Sequence, residues 1–194
     1  GHYVNQAADQ LDAEGKPAHR SSGTRLVNQW KDASGRFMMQ PRSYISSRPG
    51  DVNGSLDNSK SGSVSSANSF AQWWRDVPGV NMSKQVPITL KRQAGTNIYT
   101  FNDRTDPGFS NKGGFFPING ELYGNSSGND KNFHFTYELE TEFVYERGTG
   151  QVFSFTGDDD VLVYIDGKLV IDLGGVHSAI SQSIDLDRLN WLQT

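Results

Sequence analysis

The sequence predicts an all-β protein, mainly antiparallel, with one short helix and long loops. Three observations carry that prediction. Over 133–145 the residues Phe133, Phe135, Tyr137, Leu139, Phe143 and Tyr145 share one face, while His134, Thr136, Glu138, Glu140 and Glu142 share the other. Alternation with a period of two is the pattern of a half-buried strand. Over 152–173 two strand-like runs flank Asp166-Gly167, and Asp-Gly between such runs predicts a hairpin, because a type I′ turn needs positive φ at both central residues. Finally, 21 glycines and a hydrophobic fraction of 35%, with a mean hydropathy of −0.60, describe a chain richer in loops than an average globular protein.

The 194 residues suffice for one domain with a sizeable core, with a tail in addition. We read 1–23 as a polar extension or linker with a weak helical pattern, and 24–194 as the β domain. No apolar run approaches the length of a membrane-spanning helix. A net charge of −4 and a pI near 5.5 argue against nucleic acid as the main partner, since that surface calls for a basic face. With no cysteine, disulfides and thiolate metal sites are excluded. The opening GHYVNQ lacks the charged and apolar regions of a signal peptide.

Taken in order, Leu26, Val27, Trp30, Phe37 and Met38 mark the first packed elements. The stretch 41–69 is dominated by Ser, Gly, Asn and Asp, with Pro49-Gly50 and Asn53-Gly54 as turns, and is long for a connection. Phe70, Trp73, Trp74 and Val77 then recur at helical spacing, with Asn68 or Ser69 as the expected cap and Pro78-Gly79 as the stop. Surface tryptophans stack on sugars, but this spacing favours core packing for at least one of them. Runs 86–90 and 97–101 read as strands about a turn at Ala94-Gly95. The glycine-, serine- and asparagine-rich loop 113–130 has backbone groups suited to lining a polar site.

Residues two apart on one strand face lie roughly 7 Å apart, so Glu138, Glu140 and Glu142 match a glycosidase pair by distance. A row of acids on a polar face is ordinarily solvated or paired across strands, whereas a catalytic pair needs one carboxyl in an apolar pocket. Without HExxH, GxSxG, a phosphate-binding glycine loop or a thiol, no enzyme is expected.

The most informative stretch is 152–177, VFSFTGDDDVLVYIDGKLVIDLGGVH. Phe153 and Phe155 alternate with polar residues, Gly157 breaks the run, and Asp158, Asp159 and Asp160 follow. Val161, Val163 and Ile165 alternate with Leu162 and Tyr164, so both faces are apolar and this strand is expected to be central and covered on both sides. Three successive carboxylates repel one another and need water, cations or a metal. In isolation such a run is ordinarily a solvated turn. His177 follows Gly174-Gly175, and 179–189, with Ile180, Ile184, Leu186 and Leu189, reads as a last strand.

Three phrases in order, SFAQWWRDVPGVN, GGFFPING and GDDDVLVYIDGKLVIDLGGVH, resemble the fibro-slime group of the PA14 superfamily over roughly residues 41–189. The resemblance implies a β-barrel or β-sandwich. It also implies a Ca²⁺ ion held by an aspartate pair joined by a cis peptide, here Asp158 and Asp159, and gripping sugar hydroxyls. Asp160 stands where many PA14 members have glycine and is expected as a further ligand or as a residue that orients the pair. His177 is expected to orient them or to touch the ligand, with a merely hydrogen-bonded structural histidine an equal alternative. PA14 domains usually continue with another strand pair whose loops complete the calcium site. On this resemblance the domain lacks those strands, and a strand-donating chain, a subunit or the N-terminal residues would fill the edge left open near the C-terminus. The implied function is a calcium-dependent carbohydrate-binding module of a secreted or cell-surface adhesin. The alternative is a structural surface or matrix protein that binds protein partners and uses calcium only for rigidity.

Overall fold

The computed structural model describes residues 7–19, 29–54, 66–174 and 177–193. It is an all-β protein: short antiparallel strands in several small sheets, with one short helix among the described residues, α1 (Ala67–Gln72). Two compact units divide the chain, one containing 1–74 and 138–194 and the other 75–137.

Among the described residues the first unit holds three sheets. Strands β1 (Trp30–Lys31), β2 (Phe37–Met38) and β3 (Val52–Asn53) form one in the order β2-β1-β3. Strand β6 (Val152–Gly157) pairs with β9 (Ile180–Asp185) in register from Val152↔Asp185 to Gly157↔Ile180. On this ladder Ser154 and Ser183 share a hydroxyl hydrogen bond of 2.8 Å, and Thr156 and Ser181 one of 2.6 Å. Strands β7 (Leu162–Ile165) and β8 (Lys168–Asp172) form the expected hairpin. Its two turn residues both have positive φ, 47° at Asp166 and 75° at Gly167, as the Asp-Gly signal requires. The ladders do not close into a barrel among the described residues.

The central strand is β8, not β7. Leu169, Val170 and Ile171 are fully buried, while Leu162, Val163 and Tyr164 of β7 are only partly so. The reason is visible on β8's other side. Leu169 N donates to the Asp9 carbonyl at 2.9 Å and Leu11 N to the Gly167 carbonyl at 2.9 Å, so residues 9–11, part of the segment read as an extension or linker, run antiparallel beside β8. The Tyr44 hydroxyl donates to the Leu169 carbonyl at 3.1 Å, and Arg42 forms an ion pair with Asp9. Ala7, Met39, Ile45, Leu173, Ile184 and Leu189 complete the core, each large aliphatic side chain contributing about 1.5–3 kcal/mol by its burial.

After β9 the chain turns into two short 3-10 segments, Leu186–Arg188 and Asn190–Gln193, so the last predicted strand ends at Asp185. Arg188 is buried there and grips Asp51 through both terminal nitrogens, at 2.6 and 2.8 Å. That two-pronged hydrogen bond is the main reason the Asp51 carboxyl is held below the usual carboxylate range, with the Arg48 backbone N–H assisting and burial opposing.

The helix cap lies earlier than the sequence suggested. Ser66 is the N-cap, its Oγ accepting from Ser69 N at 3.1 Å. Phe70 is fully buried. Trp73 and Trp74 lie past the helix with rings 5.4 and 5.9 Å from Phe70, which accounts for both tryptophans as packing residues. In the second unit β4 (Lys91–Arg92) and β5 (Tyr99–Thr100) form a hairpin whose turn includes Gly95 at φ 72°. Residues 86–90 stay outside it. Phe109 is buried among Phe101 and Phe115, and Phe115 meets Tyr137 edge-on at 5.1 Å.

The long strand expected over 133–145 is not a strand: among the described residues no ladder forms there. Leu139 is 66% exposed and Val144 78%. Alternation specifies which side chains share a face, but a strand exists only where a neighbour accepts its hydrogen bonds.

Candidate functional site

The acidic triplet lies in the link between two ladders. Gly157 ends β6, where an added Cβ would come within 2.5 Å of the Phe155 ring, so glycine lets that ring cover the backbone just before the acids. Residues 158–160 then carry the chain to the β7–β8 hairpin. The second link, from β8 to β9, runs beside the first, because Leu173 N donates to the Val161 carbonyl at 2.8 Å and Gly157 faces Ile180. His177 sits in this second link. Two connections distant in sequence thus meet at one end of the first unit.

The three aspartates do not behave alike. Asp158 and Asp159 are exposed, and the Asp159 carboxylate accepts from Asp160 N at 2.9 Å. Asp160 turns inward. Its side chain is 2% exposed and a carboxylate oxygen lies 3.7 Å from His177 Nε2, whose own side chain is 4% exposed. His177 Nε2 also lies 2.9 Å from the Leu173 carbonyl and Nδ1 2.8 Å from the Ser178 carbonyl. His177 is thus buried with both ring nitrogens against backbone carbonyls, the placement of a hydrogen-bonded structural histidine, and its ring also lies beside the Asp160 carboxylate of the acidic loop.

Asp158 and Asp159 suit a hard cation as two oxygen donors, whereas Asp160, turned toward His177, is not brought to them as a third. Among the described residues no group of three or more Asp, Glu, His or Cys is arranged to hold a metal, and calcium ordinarily takes six to eight oxygens. The remaining oxygens would come from backbone, water or ligand. No cis peptide occurs among the described residues, so the Asp158–Asp159 bond is trans.

Below this end lies a buried polar network that sequence reasoning missed. Gln182 Oε1 accepts from Asp172 N at 2.7 Å, and Gln182 Nε2 donates to Gln29. All three residues are 0% exposed. The Asp172 carboxylate accepts from Gly174 N at 3.2 Å, which turns the chain toward His177. A signal existed: Asp172 is an acid inside the apolar run LVIDL, where only a satisfied polar group is tolerated. Its partners at Gln29 and Gln182 carry no such mark.

Other candidates lie elsewhere. Glu138 pairs with Lys16 at 2.6 Å, an ion pair between segments distant in sequence and outside any strand. A polar groove of about 480 Å³ is lined by Pro41, Arg42, Ser43, Ser46 and Asn190. It includes none of the acids of the loop. No helix among the described residues is long and apolar enough to cross a membrane.

Comparison with known proteins finds relatives in Dictyostelium discoideum. Protein psiR is 41% identical over 138 residues, covering 68% of this chain and 14% of psiR. Protein psiQ is 38% identical over 136 residues, 67% of this chain and 13% of psiQ. Protein psiD is 35% identical over 133 residues, 65% of this chain and 24% of psiD. The chain therefore spans less than a quarter of each of these relatives. No family model matches the sequence. No solved structure matches it either.

Proposed function

We propose that this chain is a fibro-slime-type module of the PA14 superfamily that binds carbohydrate through calcium, as part of a secreted or cell-surface adhesin, and that it acts by binding rather than catalysis. The observation that carries the reading is the exposed pair Asp158 and Asp159 on a loop fastened from beneath by the buried Asp160–His177 contact. Carboxylates pre-positioned on a rigid rim lose little freedom when they take up an ion, and a calcium ion with open positions accepts two neighbouring sugar hydroxyls. Calcium would be held by Asp158 and Asp159, with Asp160 and His177 as positioning residues. The ion would supply the attraction for hydroxyl oxygens that two carboxylates alone lack. The test is a glycan array probed in calcium and again in chelator: calcium-dependent binding to a defined set of sugars supports the reading, and an array blank in both conditions sinks it.

A second reading is favoured by a different observation. Leu139, Phe143, Val144, Val152 and Phe153 of the first unit are all at least 36% exposed, and exposed apolar side chains suit a protein partner or a donated strand. On this reading the module assembles a surface or matrix, and calcium serves rigidity. Oligomer size by sedimentation separates the two, since a sugar-binding monomer would sediment as one chain at all concentrations.

A further inference from the structure

Three asparagines stand in Asn-x-Ser sequences: Asn53-Gly54-Ser55, Asn81-Met82-Ser83 and Asn125-Ser126-Ser127. This is the acceptor pattern for N-linked glycans, which require a surface position. The structure separates the three. Asn53 lies inside β3, paired with Trp30. Asn81 is half-buried, its Oδ1 accepting from Val77 N at 2.7 Å, and the Ser83 hydroxyl donates to Asp76 at 2.8 Å.

Asn53 is exposed but sits in a strand ladder, whereas Asn125 is exposed on a loop outside any ladder. Asn125 and Ser127 are exposed, while Ser126 between them is 9% exposed and anchors the loop. Ser126 N donates to the Lys131 carbonyl at 2.9 Å, its carbonyl accepts from Asn129 N at 2.9 Å, and its hydroxyl accepts from Phe133 N at 2.9 Å. A second tie, from Asn132 N to Asn119 Oδ1 at 2.9 Å, closes the base of the loop. With the middle residue pinned inward, the two recognised residues face out. The Asn125 Oδ1 accepts from Gly120 N at 2.6 Å, and an amide glycosylated on Nδ2 keeps its carbonyl oxygen, so that contact survives modification.

We propose that Asn125 is an N-glycan attachment site, modified from a lipid-diphosphate-linked oligosaccharide. Asn125 Nδ2 bonds to C1 of the first sugar, the bond from C1 to the diphosphate oxygen breaks, and the lipid diphosphate leaves. One Nδ2 proton passes to a base of the transferase, with no change of oxidation state. The proposal rests on the extracellular part of the reading above, because such a donor is met in the secretory lumen.

The test is to direct the full chain into the secretory pathway of Dictyostelium discoideum, recover it from the medium, and read the tryptic peptide 113–131 by mass spectrometry with and without a peptide-N-glycosidase. The expected result is a glycan on that peptide that the glycosidase removes. N125Q and S127A should each abolish it, and S127T should retain it. Secreted protein whose 113–131 peptide is entirely bare overturns the proposal, and so does a glycan found on Asn53 or Asn81 but not on Asn125. The native full-length protein distinguishes the two failures. Found outside cells with a bare peptide it overturns this proposal alone, and confined to the cytosol it overturns the extracellular reading as well.

Discussion

Replacing Asp160 by asparagine keeps the shape of the side chain and removes the charge that faces His177. The buried Asp160 carboxylate lies 3.7 Å from His177 Nε2, and removing one partner of a buried polar contact costs about 1–3 kcal/mol. We therefore expect D160N to cost about 2 kcal/mol, or about 4–8 °C of melting temperature for a chain of this length. The assay is urea and thermal unfolding of the parent, D160N, H177Q and the double variant at neutral pH, in chelator so that no metal contributes. If the two side chains act on one another, the double variant loses less than the sum of the single losses, by about 1 kcal/mol or more. Additivity within about 0.5 kcal/mol would refute the contact as a fastening of the loop.

Breaking the Asp51–Arg188 pair with R188M should cost about 3–5 kcal/mol by urea unfolding, because it leaves Asp51 buried without its cation. The Asp51 carboxyl is held below its usual value of 3.8, so the stability it contributes is present above that value and is lost as pH falls through its lower folded value. R188M should accordingly flatten the acid limb of a stability-against-pH curve below about pH 4. Q182A should cost about 1–3 kcal/mol, read in the same denaturant series, by leaving the Asp172 N–H without its buried acceptor. Deleting residues 1–11 should bare the edge of β8 and produce concentration-dependent association in sedimentation; a stable monomer would contradict the pairing of residues 9–11 with Gly167 and Leu169.

Features set by near neighbours along the chain were legible in the sequence. Asp166-Gly167 specified a turn with two positive φ values, and Phe70, Trp73 and Trp74 specified one packed face. Features that depend on distant residues were not. Whether Phe133 to Tyr145 becomes a strand is decided by what lies beside it, and its own pattern says nothing of that. The central place of β8 follows from residues 9–11, which sit in a mainly polar segment that carries no strand pattern of its own. Within the candidate site, the acids and His177 could be named from sequence, but not their division of labour. Asp160 differs from Asp158 and Asp159 only because the β8–β9 link brings His177 beneath it, 17 residues on in sequence.

Calorimetric titration of calcium into the chain reads the Asp158–Asp159 site itself. Saturable binding is expected, which D158N and D159N each abolish or weaken at least tenfold, a loss of about 1.4 kcal/mol or more. D160N should bind more weakly only to the extent that its loop is loosened. An absence of calcium binding by the folded parent, or binding untouched by D158N and D159N together, would contradict that site.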